Sequence, residues 1–300
     1  MSKNGKHHYI PVFYLKKWTG PDGRLCEFSK PYDRVKPKRI HPGGTGFVHG
    51  LYSIADLPPE LAQVLEKGFM KTTDTLAANA LQVLLSGSLR GLTSDTRSGW
   101  SRFIVSLVLR NPEMVIRAKH AARALMAEAR LTIEQDYAEN RLPTDPDTYA
   151  KYAALHSPNP EGRAAAILME KVIDSPKIGQ WINNMRWRVF VIPPTGFNFL
   201  TSDRPVIMTN GISHQDAQLI LPISKKHLFV ATNNVQTENQ IMNLAKEGTL
   251  AQQVNDRIAL QAKKLVFASD DTSLKFVARR LGRQLPASPF ETGEPTASGF

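Results

Sequence analysis

Arg186-Trp187-Arg188-Val189-Phe190-Val191-Ile192-Pro193 is where the character of the chain changes. From Trp187 onward, short runs rich in Val, Ile, Phe and Leu are bounded by turn residues. Trp187–Pro193, Asn198–Thr201, Gln218–Pro222 and His227–Thr232 read as strands. Upstream, residues 58–182 read as a run of helices. Helices followed by strands predict an α+β fold and not a doubly wound α/β one. The expected architecture is a central helical region with a mostly antiparallel sheet formed by C-terminal and N-terminal strands.

Pro58 and Pro59 suit a first helical turn, and Leu61, Leu65, Phe69, Leu76, Ala80 and Leu84 follow at roughly helical spacing up to a stop at Gly87. Further helices are predicted over Thr93–Asn111, Pro112–Asn140 and Glu161–Asp174, with a loop at Leu142–Asp147. Beyond the strands, helices are expected at Thr237–Glu247 and Thr249–Lys263, then a strand at Lys264–Ser269 and a basic helix at Ser273–Leu281. Residues 1–57 hold Pro11, Pro21, Pro31, Pro37 and Pro42, too closely spaced for long helices, with strands plausible at Arg24–Phe28 and Phe47–Ile54. From Arg283 the chain turns to Pro, Ser, Thr, Gly and Glu, the composition of a disordered tail. The expected organisation is thus one α+β domain over 1–282, divided into a basic irregular region (1–57), a helical region (58–182) and a strand-rich region (183–282), followed by a tail at 283–300.

With 42% hydrophobic residues among 300, the chain has ample material for a core. The apolar run Phe103–Leu109 is far too short to span a bilayer, and Tyr9–Trp18 is broken by Pro11, Lys16 and Lys17, unlike a signal peptide. The single cysteine, Cys26, excludes an intramolecular disulfide and a cysteine zinc cluster. These absences point to the cytoplasm and to no membrane partner. Net charge is +11, and it is unevenly placed: residues 1–50 carry ten Lys/Arg against three Asp/Glu, a net of +7. Concentrated positive charge attracts phosphate polyanions and loses that attraction in salt. Lys16, Lys17, Lys36, Lys38 and Arg39 are the candidate nucleic-acid contacts.

Four motifs bear on chemistry. In His7-His8-Tyr9-Ile10-Pro11, an imidazole could serve as acid/base, metal ligand or phosphate contact, or the aromatics Tyr9, Phe13, Tyr14 and Trp18 could simply anchor the N-terminus. His41 and His49 could join His7 and His8 at a metal, although nothing has the paired spacing of a zinc motif. Gly43-Gly44-Thr45-Gly46 lacks the Lys-Ser/Thr of a phosphate loop and reads as a flexible turn. Ser202-Asp203-Arg204-Pro205 leaves a strand end, where Asp203 could be a general base or metal ligand, or could close an Asx-type turn. No elbow motif surrounds Ser202, which argues against a serine hydrolase. Arg110-Asn111-Pro112 ends an apolar helix, and a buried arginine there requires a carboxylate of the fold, with Glu66 and Asp74 in reach on the preceding helix, or an anionic ligand.

Taken in order, these strings resemble the family called domain of unknown function four-two-three-eight. The resemblance rests on His8-Tyr9-Ile10-Pro11 with Phe13, Tyr14, Leu15 and Trp18, on Glu66 and Asp74, on Arg110 and Pro112, on Trp187, Ser202, Asp203 and Pro205, and on Asn255, Ala262 and Val266–Ser269. It runs over residues 7–281. Asn111 stands where Ser or Thr is expected, and the acid spacing over 66–74 is looser than the pattern. The resemblance implies that His8, Arg110 and Asp203 are the positions to test, with Glu66 behind them. It transfers no activity.

Three function classes stay open. One is a nucleic-acid phosphodiesterase or nuclease, in a setting such as defence against mobile DNA, with His8 as acid/base, Arg110 on a phosphate and Asp203 on a divalent metal or the histidine. The second is a non-catalytic nucleic-acid or protein-binding module. The third is a hydrolase or transferase of a small anionic substrate. Convergence of His8, Arg110 and Asp203 on one pocket separates the first from the second.

Overall fold

A computed structural model of the chain describes residues 5–51, 69–156, 160–194 and 196–283. It begins with β1 (Lys6–His8), the short helix α1 (Val12–Leu15) running into a 3-10 turn, β2 (Leu25–Ser29), β3 (Lys36–Ile40) and β4 (Phe47–His49). A helical stretch follows: α2 (Lys71–Leu84), α3 (Ser94–Leu109), α4 (Pro112–Glu128), α5 (Arg130–Asn140), α6 (Tyr149–His156), α7 (Pro160–Ile173) and α8 (Pro176–Asn184). The last part contains β5 (Arg186–Val191), β6 (Thr201–Ser202), β7 (Ile207–Thr209), β8 (Gln218–Pro222), β9 (His227–Thr232), α9 (Val235–Lys246), α10 (Leu250–Gln261), β10 (Leu265–Ala268) and α11 (Leu274–Ala278). The class is α+β, as expected.

The strands form three antiparallel groups: β1 with β4, a sheet of order β3-β2-β10-β6, and a sheet of order β5-β9-β8-β7. The second of these joins N-terminal to C-terminal strands, whereas the third is wholly C-terminal. One sheet was expected and three occur, because the run 186–232 closes on itself by local antiparallel pairing and leaves β10 free to recruit β2. β8 is buried along its whole length. Its side chains alternate between two cores: Leu219 and Leu221 enter the one built with α2, α3 and α8, while Ile220 enters the one built with α9 and α10. A strand covered on both faces is a continuous apolar run and not an alternating one.

The N-terminal aromatics do anchor. Tyr14 Oη meets Thr201 Oγ1 at 2.8 Å and donates to the Pro222 carbonyl at 2.6 Å, and Trp18 Nε1 donates to the Phe199 carbonyl at 2.8 Å. Both rings are fully buried. These contacts hold residues 9–18 against strands almost 200 positions away. Between α2 and α3 the approach is close: a Cβ on Gly99 would lie 2.7 Å from Leu76 Cβ.

Some expected elements changed. The helix over 112–140 is two helices meeting at Ala129, where no capping side chain marks the break. The expected strand from Asn198 is confined to Thr201–Ser202. β3, rich in Lys and exposed except at the half-buried Ile40, carries no hydrophobic alternation for the sequence to reveal. The expected strand from Phe47 stops at His49, and its continuation past Leu51, Glu66 and the tail from 284 lie outside the described residues. Among the described residues, no helix is long and apolar enough to cross a membrane.

Candidate active site

β1 pairs with β4 so that His8 stands opposite Phe47, and the two rings lie 5.4 Å apart. The pairing continues through Gly46, whose carbonyl accepts from Tyr9 N at 2.9 Å and Ile10 N at 3.1 Å. Gly46 has φ +65°, and a Cβ there would sit 3.1 Å from Ile10 Cβ, so glycine is required for this close approach. The Gly-rich string therefore does more than turn. It brings the Gly43 carbonyl to the His8 ring, while His8 Nε2 is buried and has no hydrogen-bond partner. Burial holds the His8 imidazole below its ordinary value. The Gly43 carbonyl and the Asp74 carboxylate pull upward, Lys6 pulls downward, and burial prevails. At neutral pH His8 is thus an uncharged ring with a bare acceptor.

Asp74 sits in the first turn of α2. It receives Arg110 from the end of α3 in a fork: Nη2 to Oδ1 at 2.8 Å and Nη1 to Oδ2 at 3.4 Å. Ser106, one turn before Arg110, accepts from the same Nη2 at 2.5 Å. Arg110 is 1% exposed and Asp74 28%, so the pair is buried at the arginine end and open at the carboxylate end. A guanidinium at that depth requires such a partner. The carboxylate of the fold, not an external anion, is the partner found. Asn111 is the N-cap of α4, accepting from Met114 N at 3.0 Å and donating to Val108 O at 2.7 Å, and Pro112 opens the helix. Asn caps as well as Ser or Thr, which accounts for the departure at this position.

Asp203 has a different setting. Its Oδ1 accepts from Lys263 N at 3.0 Å, and its Oδ2 accepts from Lys264 N at 2.7 Å and Leu265 N at 3.2 Å. Asp203 is 5% exposed. Burial pushes its carboxyl up to about 6, against the three backbone N–H groups and Arg204, which favour the carboxylate. Ser202 Oγ closes the local turn by accepting from Arg204 N and donating to Arg204 O. Asp203 therefore ties the α10–β10 turn to the end of β6.

The three motifs do meet. Tyr9, Asn111, Pro112, Glu113, Asp203, Arg204 and Lys264 line one cavity of about 40 Å³, room for one or two waters. Glu113 is bridged there by Lys263 at 2.7 Å and Arg204 at 3.5 Å. Yet this cavity takes the neighbours of His8 and Arg110, not those side chains. Electrostatics sorts the groups the same way: Asp74 acts on His8, whereas Asp203, Glu113 and Glu27 act on Tyr9, whose buried phenol is raised. Among the described residues no group of three or more His, Cys, Asp or Glu could hold a metal ion. His41 and His49 stand exposed, apart from such a site. Of the basic candidates, Lys16, Lys36 and Lys38 are exposed, Lys17 is half-buried, and Arg39 is engaged by Asp22 and the Ser269 carbonyl. Sequence reasoning missed Gly43 and Phe47 as the groups that set the His8 ring. The one available signal was a glycine cluster just ahead of a strand.

Fold and site together define an α+β protein whose N-terminal histidine lies beside a helix-to-helix Asp–Arg pair. A family model described as "Protein of unknown function (DUF4238)" matches residues 6–272, and the chain belongs to that family. Comparisons with curated proteins and with solved structures gave no match.

Proposed function

We propose that this chain is an acid–base enzyme acting on phosphodiester substrates, a nuclease or phosphodiesterase, with His8 as the proton-transfer group. The observation that carries this reading is His8 Nε2, a buried acceptor without a hydrogen-bond partner on a ring already oriented by Gly43 and Phe47. A neutral imidazole so held can take a proton from water or a hydroxyl. Asp74, partly open to solvent, favours the imidazolium that forms, and Arg110 fixes Asp74 in place. Arg110 is then a positioning residue, and Asp203 belongs to the frame. Exposed Lys16, Lys36 and Lys38 would draw in the polyanion. A divalent metal stays a candidate cofactor.

A second reading, a non-catalytic polyanion-binding module, is favoured by one fact: the Arg110 and Asp203 charges are both consumed within the protein. The full chain is incubated with labelled single-stranded DNA, duplex DNA and RNA, with magnesium, manganese or chelator. Cleavage that falls about 100-fold or more in His8→Ala, with the thermal midpoint kept, supports the enzyme. Binding without cleavage supports the module and removes the first reading.

A further inference from the structure

A cleft of about 490 Å³ is lined from β3, from Cys26 of β2 and from the chain just past β10, and His8, Asp74 and Arg110 are not among its lining residues. Its charged lining is Lys38, Arg39, Lys225, Asp270 and Asp271. Arg39 is already matched, donating to Asp22 Oδ1 and to the Arg24 and Ser269 carbonyls. What remains is two lysines and two carboxylates, a bipolar cleft with no net charge. Asp270 is partly engaged by Thr272. Among the described residues, no side-chain hydrogen bond or ion pair engages Lys38, Lys225 or Asp271. Two of the buried polar atoms without a hydrogen-bond partner, Asn198 Oδ1 and Ser269 Oγ, belong to residues of the same wall. Buried polar atoms left unmatched call for an explanation, and two of them share this cleft with three charged side chains that are open to solvent.

The balance of charge selects the ligand. A phosphate ester would bring two negative charges against two carboxylates. A nucleobase would find no aromatic ring among the lining residues. A ligand carrying one ammonium and one carboxylate satisfies both signs, and Asn198 and Ser269 offer it further hydrogen bonds, each after a side-chain rotation that exposes its buried oxygen. The volume lies within the range of small-molecule sites. We infer that this cleft binds a small zwitterion of the α-amino acid type, free or as the termini of a short peptide, with its carboxylate on Lys38 and Lys225 and its ammonium on Asp271.

The test is calorimetric titration of the full chain with glycine, L-glutamine and glycylglycine, beside acetate, methylammonium, glucose 6-phosphate and adenosine monophosphate. Saturable binding of a zwitterion at least about tenfold tighter than acetate or methylammonium is expected, the loss of one charge-assisted contact being worth about that much. Preference for glycylglycine assigns the site to peptide termini, and preference for glycine or L-glutamine to free amino acids. Lys225→Met and Asp271→Asn should each weaken binding about tenfold at an unchanged thermal midpoint. If Lys225→Met does not fold, Lys38→Met on the exposed edge strand replaces it. The inference falls if no zwitterion binds, if the single-charge probes bind equally well, or if either phosphate ester binds tighter.

Discussion

Replacing Asp203 by alanine strips the acceptor from three backbone N–H groups at once, those of Lys263, Lys264 and Leu265. A buried donor left without a partner costs about 1–3 kcal/mol. Two effects reduce the total. Water in the adjoining cavity of about 40 Å³ can move into the vacated space. The variant also escapes the cost of the buried charge, which for a carboxyl lifted from 3.8 to about 6 is roughly 3 kcal/mol at neutral pH. A net loss of about 2–4 kcal/mol remains, or roughly 5–10 °C in thermal midpoint for a chain of this size. The four tryptophans report urea unfolding by fluorescence. The sign of the pH dependence adds a second check. Below about pH 4 Asp203 is protonated in both folded and unfolded chains, and its contribution is complete. Between about pH 4 and 6 the unfolded chain gives this proton up to water while the buried carboxyl keeps it, so the contribution is lost over that window and is gone once the folded chain ionises above about 6. The stability lead of wild type over Asp203→Asn should therefore narrow by roughly 3 kcal/mol between pH 4 and 7. An Asp203→Ala protein that unfolds within about 0.5 kcal/mol of wild type would refute the frame role and return Asp203 to the candidate catalytic groups.

Asp74→Ala strands the buried Arg110 charge and should cost about 3–5 kcal/mol by urea unfolding, whereas Asp74→Leu with Arg110→Met should recover most of that loss. If His8 is the general base, the activity should rise with pH through a midpoint below 6.5, because burial depresses the ring, and a midpoint above 6.5 excludes that role. The same depressed imidazole, with His7 beside it, should make stability fall as pH drops below 6.5, where the unfolded chain binds the proton first; His8→Gln should flatten that fall. Gly46→Ala, at φ +65° and 3.1 Å from Ile10 Cβ, should lower stability by about 1–2 kcal/mol in thermal unfolding.

Much of the fold was legible because its cues are local. Gln218–Pro222 and His227–Thr232 are strands at the bounds the sequence gives, since apolar runs bracketed by Ser, Lys and Asn leave little choice. The α3–α4 boundary was legible from Asn111-Pro112, a cap followed by a helix opener. β3 was not, because an exposed edge strand of Lys, Pro and Arg is held only by its pairing with β2. Nor was the short strand β7, nor the helix α6, which buries none of its residues and shows no apolar face. Pairing partners distant in sequence leave no periodic trace in either chain segment.

The site was half legible, for a related reason. His-x-x-Pro, Arg-x-Pro and Ser-Asp-x-Pro each read equally well as chemistry or as framework, because a polar residue at an element boundary serves both. What separates the two is where its polar atoms are spent. Pro11 precedes α1 and lends its carbonyl to Tyr14 N and Leu15 N. Asn111 spends its amide on both sides of the α3–α4 turn, and Ser202 and Asp203 spend theirs on backbone. Arg110 spends its fork on Asp74 and Ser106. After these subtractions, among the described residues, His8 Nε2 and Arg204 Nε stay buried without a hydrogen-bond partner, and of the two only the imidazole nitrogen can accept a proton. A buried acceptor of that kind destabilises a protein unless something else uses it. The physical case for chemistry at this end of the molecule therefore rests on a single nitrogen, and the sequence could place that nitrogen in a motif but could not distinguish it from those the fold had already satisfied.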